Sequence, residues 1–491
     1  MRTFDQIEQE FTNIPVRVVG HKANPTGMLT LDRENSKLII NSVDFHHFDG
    51  DANGWFDLDL LDSSDNNIYF HNALSGTRSF PGAKDGKPAG SYTSEIFPNY
   101  VVLDSEHLGV DKSVRRISFQ LEGLENFCVY NIFEWSSLFS ASSSEKAEIL
   151  NDLRIHNIQS YGVSKEKYEA NDPDDIWIVH KPKLYMKFKV DGREYEIKHF
   201  RSHGSLGLTG QQMQVIPRAT IRFESNVSLD DALQYVEDWI SFFEQVACKR
   251  LQLMSLQASK YLNSYKEADI YPPDLSGNDK RSVINLHPLY VPYSRWKDRR
   301  RSAAAMKTWL QKYDERRFFR NAIRLTISRL DIERDPTLIT LLCAAIESLP
   351  ELGGSNSLCK TTLQKMAEAA HAEQTAYKLE DIKNLLGNLG GTSLKKRVAN
   401  LLKKMTLLPE GLDQGDFVKI CGDLRNEVAH GRLSDEEQIS IAGSFTEALL
   451  GICVCYDLQT SGCAGKNGEH KLIPFIRARW MLLDCRARTK G

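Results

Sequence analysis

Short runs in which apolar and polar residues alternate fill the first third of the chain, separated by clusters of Gly, Asn and Asp. Alternation with a period of two is typical of strands that bury one face. Many short strands of this kind predict a barrel or a sandwich, and a Gly-, Pro- and Lys-rich loop, Pro81–Gly90, is expected to interrupt it. The strands predicted in residues 1–165 are Val16–Gly20, Met28–Asp32, Lys37–Asn41, Trp55–Leu60, Asn67–His71, Tyr100–Leu103, Arg116–Gln120 and Cys128–Asn131.

A second β patch followed by a long helix is predicted in residues 166–265. Ser228 has the sequence context of a helix cap, and apolar residues at helical spacing predict that this helix continues to about Leu262. The Pro-rich and polar residues that follow make 266–301 a predicted linker. The strands of this patch are Trp177–His180, Leu184–Val190, Tyr195–His199 and Ala219–Phe223, the middle two being joined as a hairpin.

Residues 302–491 show helical periodicity and short connections, which predict an all-α bundle. A basic helix is expected at Ser302–Leu330, and Pro336 is expected to start the next one. Further helices are predicted at Cys359–Gln374, Leu379–Leu389, Leu394–Leu407, Gly415–His430 and Asp435–Leu458. The sequence therefore predicts an α+β multidomain protein, with a β-rich N-terminal barrel or sandwich region and an all-α C-terminal helical bundle.

Composition adds a cellular setting to this picture. The 491 residues are enough for two or three domains with sizeable cores. No apolar run reaches the length of a membrane span, and the first residues lack the apolar segment of a signal peptide. Nine scattered cysteines fit reduced thiols better than a disulfide framework. We expect a soluble cytoplasmic protein with no membrane partner.

Charge is distributed unevenly along the chain. The net charge is −3, but Arg281–Leu330 contains thirteen Lys and Arg residues against three acidic ones, so this stretch carries +10 and the remainder −13. Such asymmetry indicates an anionic partner, nucleic acid above all, or a basic helix face packed against an acidic part of the same chain. The residues expected to bind RNA are Arg299, Arg300, Arg301, Arg316, Arg317, Arg320, Lys395, Lys396 and Arg397.

The strongest chemical signal is the stretch Cys421–Gly431, which contains Arg425, Asn426 and His430. Helical spacing of the apolar residues before it places Arg425 and His430 in the last turns of an amphipathic helix. Gly431 is expected to end that helix in the left-handed conformation, and Ser434–Glu437 has the pattern of a capping box for the next one. A five-residue offset corresponds to roughly 140° of rotation, so the two side chains meet only if the helix end is distorted or a second copy faces the first.

Arg-Asn-x-x-x-His at the end of a helix in an all-α region resembles the Arg-x(4–6)-His signature of HEPN ribonucleases, in particular the ApeA-like HEPN proteins of bacterial anti-phage defence. Two other segments match the bare pattern, but Arg193…His199 falls in a strand-like run and His287 of Arg281…His287 directly precedes a proline. The segment Thr30–Trp135 also resembles the N-terminal domain of ApeA-like proteins. The matching features are Gly50, Phe56–Leu61, Glu106–Gly109, Leu124–Phe127 and Trp135.

The resemblance implies a HEPN bundle in residues 302–491 and a sensor or regulatory domain in 1–165. It implies a metal-independent endoribonuclease without cofactor, in which a phage-encoded trigger releases cleavage of host RNA, tRNA being the usual target class. His430 would act as general base or acid, Arg425 would stabilise phosphate charge, and Asn426 would orient His430 or bind phosphate. A homodimer or higher homo-oligomer would pair two such sites. The alternative is a non-catalytic HEPN scaffold that binds RNA or a partner protein.

Four further features carry weaker chemical signals. Glu347 lies in an apolar helical run, where it either orients a catalytic group or is simply exposed. A zinc site and a set of buried thiols are the two interpretations of Cys453, Cys455, Cys463, His470 and Cys485. Their spacing matches no compact zinc finger, which favours buried thiols. The pair His46–His47 fits a metal site or a polar loop, the loop being favoured. His199 and His203 flank Arg201 in a segment that fits contact with nucleic acid or a trigger ligand.

Overall fold

The computed structural model describes residues 2–124, 186–272, 299–353 and 393–462, with gaps of two to five residues, together with 135–137, 177–179 and 368–369. The predicted strand Cys128–Asn131, the pair His46–His47 and the predicted helix Leu379–Leu389 lie outside the described residues, as does Cys359–Gln374 apart from residues 368–369.

A closed antiparallel barrel forms the first part of the described chain. Its strands are β1 (Ile14–Val18), β2 (Thr26–Thr30), β3 (Lys37–Ser42), β4 (Phe56–Asp62), β5 (Asn67–Lys84) and β6 (Lys87–Leu103). The pairing runs β6–β3–β2–β1–β4–β5 and returns to β6, so the ring has no free edge. The predicted barrel or sandwich is confirmed as a barrel. The expected loop Pro81–Gly90 is wrong, since β5 and β6 continue as a hairpin through most of it.

An open sheet continues from the barrel through the other edge of β6. Its strands are β7 (Val114–Leu121), β10 (Met186–Val190), β11 (Arg193–Ser205), β12 (Gln211–Val227), β13 (Leu253–Ser259) and β14 (Ala268–Tyr271), in the order β6–β14–β13–β7–β12–β11–β10. Strands β8 (Trp135–Ser137) and β9 (Trp177–Val179) form a separate pair. Because β7 lies between β12 and β13, the predicted boundary at 165/166 does not separate two sheets.

Two helices belong to the described part of this β half, α1 (Phe4–Glu10) and α2 (Leu229–Ala247). Ser228 caps α2 as predicted, its Oγ accepting a hydrogen bond of 3.1 Å from the Asp231 amide. The predicted extension to Leu262 is wrong, because Cys248 turns the chain with a φ of 49° and β13 follows. The apolar residues of β13 fit either period, and no Gly or Pro marks the end of α2. Strand β14 likewise lies inside the predicted linker 266–301.

Six helices make up the described part of the C-terminal half: α3 (Arg299–Gln311), α4 (Arg317–Leu330), α5 (Thr337–Ser348), α6 (Leu394–Lys404), α7 (Gln414–Ala429) and α8 (Glu436–Thr460). The predicted basic helix Ser302–Leu330 is two helices, separated by a 3₁₀ turn at Asp314–Arg316. Helix α5 begins directly after Pro336, as expected. Within α8, Gln438–Thr460 is long and apolar enough to cross a membrane, but 72% of its apolar window is buried, as in the core helix of a bundle.

Helix α2 connects the β half with the helical half. On one side Trp239, fully buried, packs edge-on against Phe119 and Tyr195 of the open sheet, with ring centroids 5.6 and 5.0 Å away. On the other side Phe242 contacts Trp309 of α3 at 5.4 Å. The buried apolar residues of both halves form one cluster, so the described helices pack directly on the sheet-bearing half.

Candidate functional site

The residues of the Arg-x4-His motif lie at the end of α7. This helix is held to the bundle by Phe417, Cys421 and Leu424, which recur on one face and are buried. The Phe417 ring contacts Phe445 of α8 at 4.8 Å. At the start of α7, the Asp413 carboxylate accepts a hydrogen bond of 3.0 Å from the Asp416 amide. Packing on one face and a capped start fix the position of the last turn.

Helix α7 ends in a Schellman motif. Gly431 has a φ of +62°, and its amide donates to the Val428 carbonyl at 3.0 Å. The Arg432 amide donates to the Glu427 carbonyl at 2.8 Å, which is the second bond of the motif. The prediction for Gly431 is confirmed, and His430 is the C-cap residue directly before it. Ser434, of the predicted capping box, lies outside the described residues.

The three polar residues of the motif are brought together only in part. The Arg425 guanidinium, half-buried, donates to the Asn426 side-chain oxygen at 3.2 Å. Asn426 and His430 are both exposed. Among the described contacts none joins the side chain of His430 to Arg425 or Asn426, which agrees with the rotation expected between positions five residues apart. Asn426 thus contacts Arg425 and does not orient His430 within one chain.

The first turn of α6 supplies positive charge beside this helix. The Lys395 ammonium pairs with Asp423 of α7 at 2.9 Å, and its methylene chain lies across Gly422, where a Cβ would overlap it. Lys396 is exposed. Arg397 is half-buried, and one of its N–H groups donates to the Leu349 carbonyl at 2.9 Å. Lys396 is therefore the member of this predicted RNA-binding group that faces solvent with no acidic partner in the described part of the chain.

Two arginines predicted to bind RNA are instead part of the core. Arg316 and Arg320 are 7% and 0% exposed, and both pair with Asp457 of α8 at 2.8 Å. Arg320 also donates to the Trp309 carbonyl at 2.7 Å, and the Trp309 indole donates to Asp457 at 2.8 Å. Burial would raise the pKa of Asp457, but the two guanidinium groups outweigh it and hold that pKa below its usual value. The prediction that Arg316 and Arg320 contact RNA is wrong.

Asp457 is the important residue that the sequence did not single out. It lies in the apolar run of α8, fully buried, and its two partners are more than 130 residues away along the chain. The available signal was an acidic residue inside an otherwise apolar helix, since a buried carboxylate is rare unless it is paired. That signal indicates that Asp457 needs a cationic partner, but it does not identify the arginines that supply the charge.

The other predicted RNA-binding residues lie at or near the surface where they are described. Arg300 is exposed. Arg317 is exposed as well, and it pairs with Asp314 at 2.6 Å. Arg299 and Arg301 belong to α3, but their side chains lie outside the described part of the chain.

The remaining candidates are Glu347, the residues considered for a zinc site, and the polar residues of β11. Glu347 is exposed on α5. Cys453 and Cys455 are buried thiols with pKa values raised by burial, as favoured from their apolar surroundings. Within the described residues no cluster of three or more His, Cys, Asp or Glu side chains is arranged to hold a metal. The other zinc candidates, Cys463, His470 and Cys485, lie outside the described residues, as do the side chains of His199, Arg201 and His203 on β11.

The arrangement at the end of α7 offers one imidazole and one guanidinium at the surface of a helical bundle, and Lys395 of α6 pairs with Asp423 of the same helix. Comparison with known proteins adds no constraint to this chemistry: no protein-family model, no curated protein and no solved structure matches the chain.

Proposed function

We propose that the chain is a metal-independent endoribonuclease of the ApeA-like HEPN type, acting in the bacterial cytoplasm in anti-phage abortive infection. The observation that carries the proposal is the placement of Arg425 in the last two turns of α7 and of His430 at its C-cap, at the surface of a helical bundle. His430 is accessible to a large substrate, and Arg425 has a neutral partner in Asn426, so its charge is available to a phosphate.

The proposed reaction uses the nucleophile that RNA itself contains. The 2′-hydroxyl of one nucleotide attacks the adjacent phosphorus, the bond to the 5′-oxygen of the next nucleotide breaks, and a 2′,3′-cyclic phosphate and a 5′-hydroxyl result. His430 takes the proton from the 2′-hydroxyl or gives one to the leaving oxygen. Arg425 stabilises the charge that develops on the non-bridging phosphate oxygens. One chain supplies only one imidazole to this reaction.

A second copy of the chain completes the site in this proposal. Arg425 and His430 point to different sides of α7, and a facing α7 would bring the histidine of one copy near the arginine of the other. Two imidazoles would then serve as base and acid. The proposed assembly is a homodimer or a higher homo-oligomer, and the proposed substrate is host RNA, tRNA above all, guided by exposed cations such as Lys396 and Arg300.

The β half is the proposed sensor. A barrel and an open sheet make up most of the described N-terminal residues, and helix α2 packs against both the sheet and the helical half. A phage-encoded trigger that binds the barrel would change the contacts of α2. An abortive-infection nuclease needs such control, because unregulated cleavage of host RNA kills the cell without infection.

The test is cleavage of total tRNA in EDTA by the wild type, Arg425→Ala and His430→Ala. Arg329→Ala serves as control, because it also removes an exposed helical arginine of the same half, at a position outside the predicted RNA-binding set. Products ending in 2′,3′-cyclic phosphate are expected from the wild type and the control, with at least a hundredfold loss in the two motif variants. If cleavage needs the trigger, lysate from phage-infected cells supplies it. Equal cleavage by all four proteins would sink the site assignment.

The second candidate function is a non-catalytic scaffold that binds RNA or a partner protein. It is favoured by the separation of Arg425 from His430 within one chain, since a binding surface does not need the two groups to converge. Under this hypothesis the wild type cleaves nothing, with or without infected lysate. His430→Ala then binds RNA as the wild type does, whereas Lys396→Ala binds more weakly and with a smaller dependence on salt.

A further inference from the structure

His71, on the barrel strand β5, lies between two carboxylates that come from different elements. Its Nδ1 is 3.2 Å from Asp57 of β4, and its Nε2 is 2.7 Å from Asp230 in the first turn of α2. The imidazole side chain is 10% exposed. Asn72 completes the arrangement, because its backbone N–H donates to Asp57 at 3.0 Å, and its side-chain Nδ2 lies 3.3 Å from Asp230 and 3.2 Å from the imidazole Nε2. The histidine thus links the barrel to α2.

Only the protonated imidazole satisfies both carboxylates. A neutral imidazole has one N–H, so one ring nitrogen would turn a lone pair toward a carboxylate, whereas imidazolium donates at both positions. Burial lowers the pKa of His71, but hydrogen bonds and charge from Asp57 and Asp230 outweigh it and raise that pKa above 6.5. Burial likewise opposes ionisation of Asp57, yet His71, Tyr69 and the Asn72 amide lower its pKa to about 2.

The other polar groups around His71 leave it as the cation of this site. The Tyr69 hydroxyl donates to Asp57 at 2.5 Å. Tyr100 of β6 contacts the imidazole ring, and acidic neighbours of α2, Glu237 and Asp230, help burial to raise the pKa of that phenol. Lys112 lies over the Tyr69 ring and pairs with Asp59 at 3.2 Å. Among the described residues, His71 is the one cationic side chain paired with Asp57 or Asp230.

We propose that His71 is a proton-operated clasp between the barrel and α2. In its protonated form it ties Asp57 to Asp230, and loss of the proton breaks one of the two bonds and weakens the link. The other end of α2 contacts the helical half, where Glu244 pairs with Arg324 of α4 at 2.7 Å. The clasp therefore regulates, by pH, how firmly the barrel is held to the helix on which the helical half packs. This regulation goes beyond the proposed nuclease function and does not depend on it.

The first test measures the protonation of His71 in the full-length protein, by NMR titration of ¹⁵N-labelled histidines. The His71→Gln variant identifies the resonance. We expect His71 to titrate above 6.5 in the wild type and closer to 6.5 in Asp230→Asn, which removes one partner charge at a site that is 63% exposed and therefore tolerant of substitution. A midpoint at or below 6.5, or one unchanged by Asp230→Asn, would overturn the proposal.

The second test follows the link itself, as hydrogen exchange of the first two turns of α2 between pH 6 and 8.5, corrected for the intrinsic rate. A histidine whose pKa is raised on folding stabilises the folded state at pH values below its pKa in the unfolded chain. Protection is therefore present near pH 6 and is lost as the pH rises through the pKa of the folded state. We expect the wild type to lose protection at least threefold, and Asp230→Asn to show little change. His107→Gln is the control, since this histidine lies 3.9 Å from Glu106 and pairs with no carboxylate of α2 among the described residues. Equal pH profiles in the wild type and Asp230→Asn would contradict the clasp.

Discussion

The helical half contains two kinds of arginine that look alike in the sequence and differ in burial and in pairing. Arg316 and Arg320 are buried and bound to Asp457, whereas Arg425 is half-buried and bound to the neutral side chain of Asn426. The charge of a guanidinium paired with a buried carboxylate is neutralised by that partner and is shielded from solvent, so a phosphate cannot reach it. One with a neutral partner keeps its charge. Basic residues therefore indicate a nucleic-acid surface only where they are exposed and are not paired with a carboxylate of the same chain.

The buried ion pairs of Asp457 with Arg316 and Arg320 stabilise the bundle only when all three residues are present. The Arg320 guanidinium lies 3.9 Å from the centre of the Trp309 ring, donates to the Trp309 carbonyl and holds Asp457 through Nε. These contacts join α3, α4 and α8. Charges removed from water are tolerated because each finds its partner, and removing one partner leaves the others uncompensated.

The largest effect is expected from Asp457→Asn. The substitution keeps the shape of the side chain but leaves two arginines facing one neutral amide in the core. We expect a loss of about 3–5 kcal/mol in the free energy of unfolding, measured by chemical denaturation at pH 7. Arg425→Ala is the matched comparison, and its loss should stay below about 0.5 kcal/mol, since it removes a charge at the surface.

Acid provides a second way to test the Asp457 pair. The pKa of Asp457 lies below its usual value of 3.8, so the stability that it contributes is present above that value and is lost as pH falls through the lower folded pKa. The wild type should lose this part of its stability below about pH 4, and Asp457→Asn should not. Parallel acid profiles of the two proteins would show that the pair does not hold the bundle together.

A smaller loss is expected from Arg320→Lys. Lysine keeps the charge, but it cannot bind Asp457 through Nε and Nη2 while also donating to the Trp309 carbonyl. Two hydrogen bonds to buried acceptors would be lost, so we expect about 2–3 kcal/mol of destabilisation by the same denaturation assay. Arg317→Lys, at an exposed position three residues earlier, should be nearly neutral. Similar losses in both variants would contradict the distinction between buried and exposed arginines.

The parts of the fold that the sequence predicted are those set by local pattern. Alternation along β4 and β7 predicted strands, Ser228 predicted the start of α2, and Gly431 predicted the end of α7. Each depends on residues within a few positions of each other. The candidate site benefits from this, because Arg425, Asn426 and His430 are placed by one helix and its cap. That placement was predictable, whereas their chemistry stays a proposal.

The parts that the sequence did not predict depend on distant partners. Strand β7 enters a sheet whose neighbours β12 and β13 follow about a hundred or more residues later, so two predicted β regions are one. Leu253 and Leu256 of β13 fit both periods, so the pattern predicts a continuation of α2 where a strand is found. The local sequence predicts that Arg316 and Arg320 lie at the surface, because their partner Asp457 comes more than 130 residues later. The local sequence pattern indicates that a residue must be paired or buried, but it does not identify the distant residue that is its partner.

The smallest effect tests the end of α7, where the proposed site begins. Gly431 has a φ of +62° and nothing within 4 Å of where a Cβ would stand, so Gly431→Ala adds backbone strain without a steric clash. We expect a loss of about 1 kcal/mol in the free energy of unfolding, and roughly half of that for Gly431→Asn, because asparagine adopts this conformation more readily.

The comparison with Asp457→Asn separates position from stability. A change at Gly431 shifts the C-cap residue His430, so in an active enzyme it should lower cleavage more than its small effect on folding explains, with Gly431→Asn again less affected than Gly431→Ala. Asp457→Asn, assayed where it remains folded, should cleave as the wild type does, since Asp457 touches no residue of the motif. If Gly431→Ala leaves both stability and cleavage unchanged, the last turn of α7 does not position His430 for the reaction.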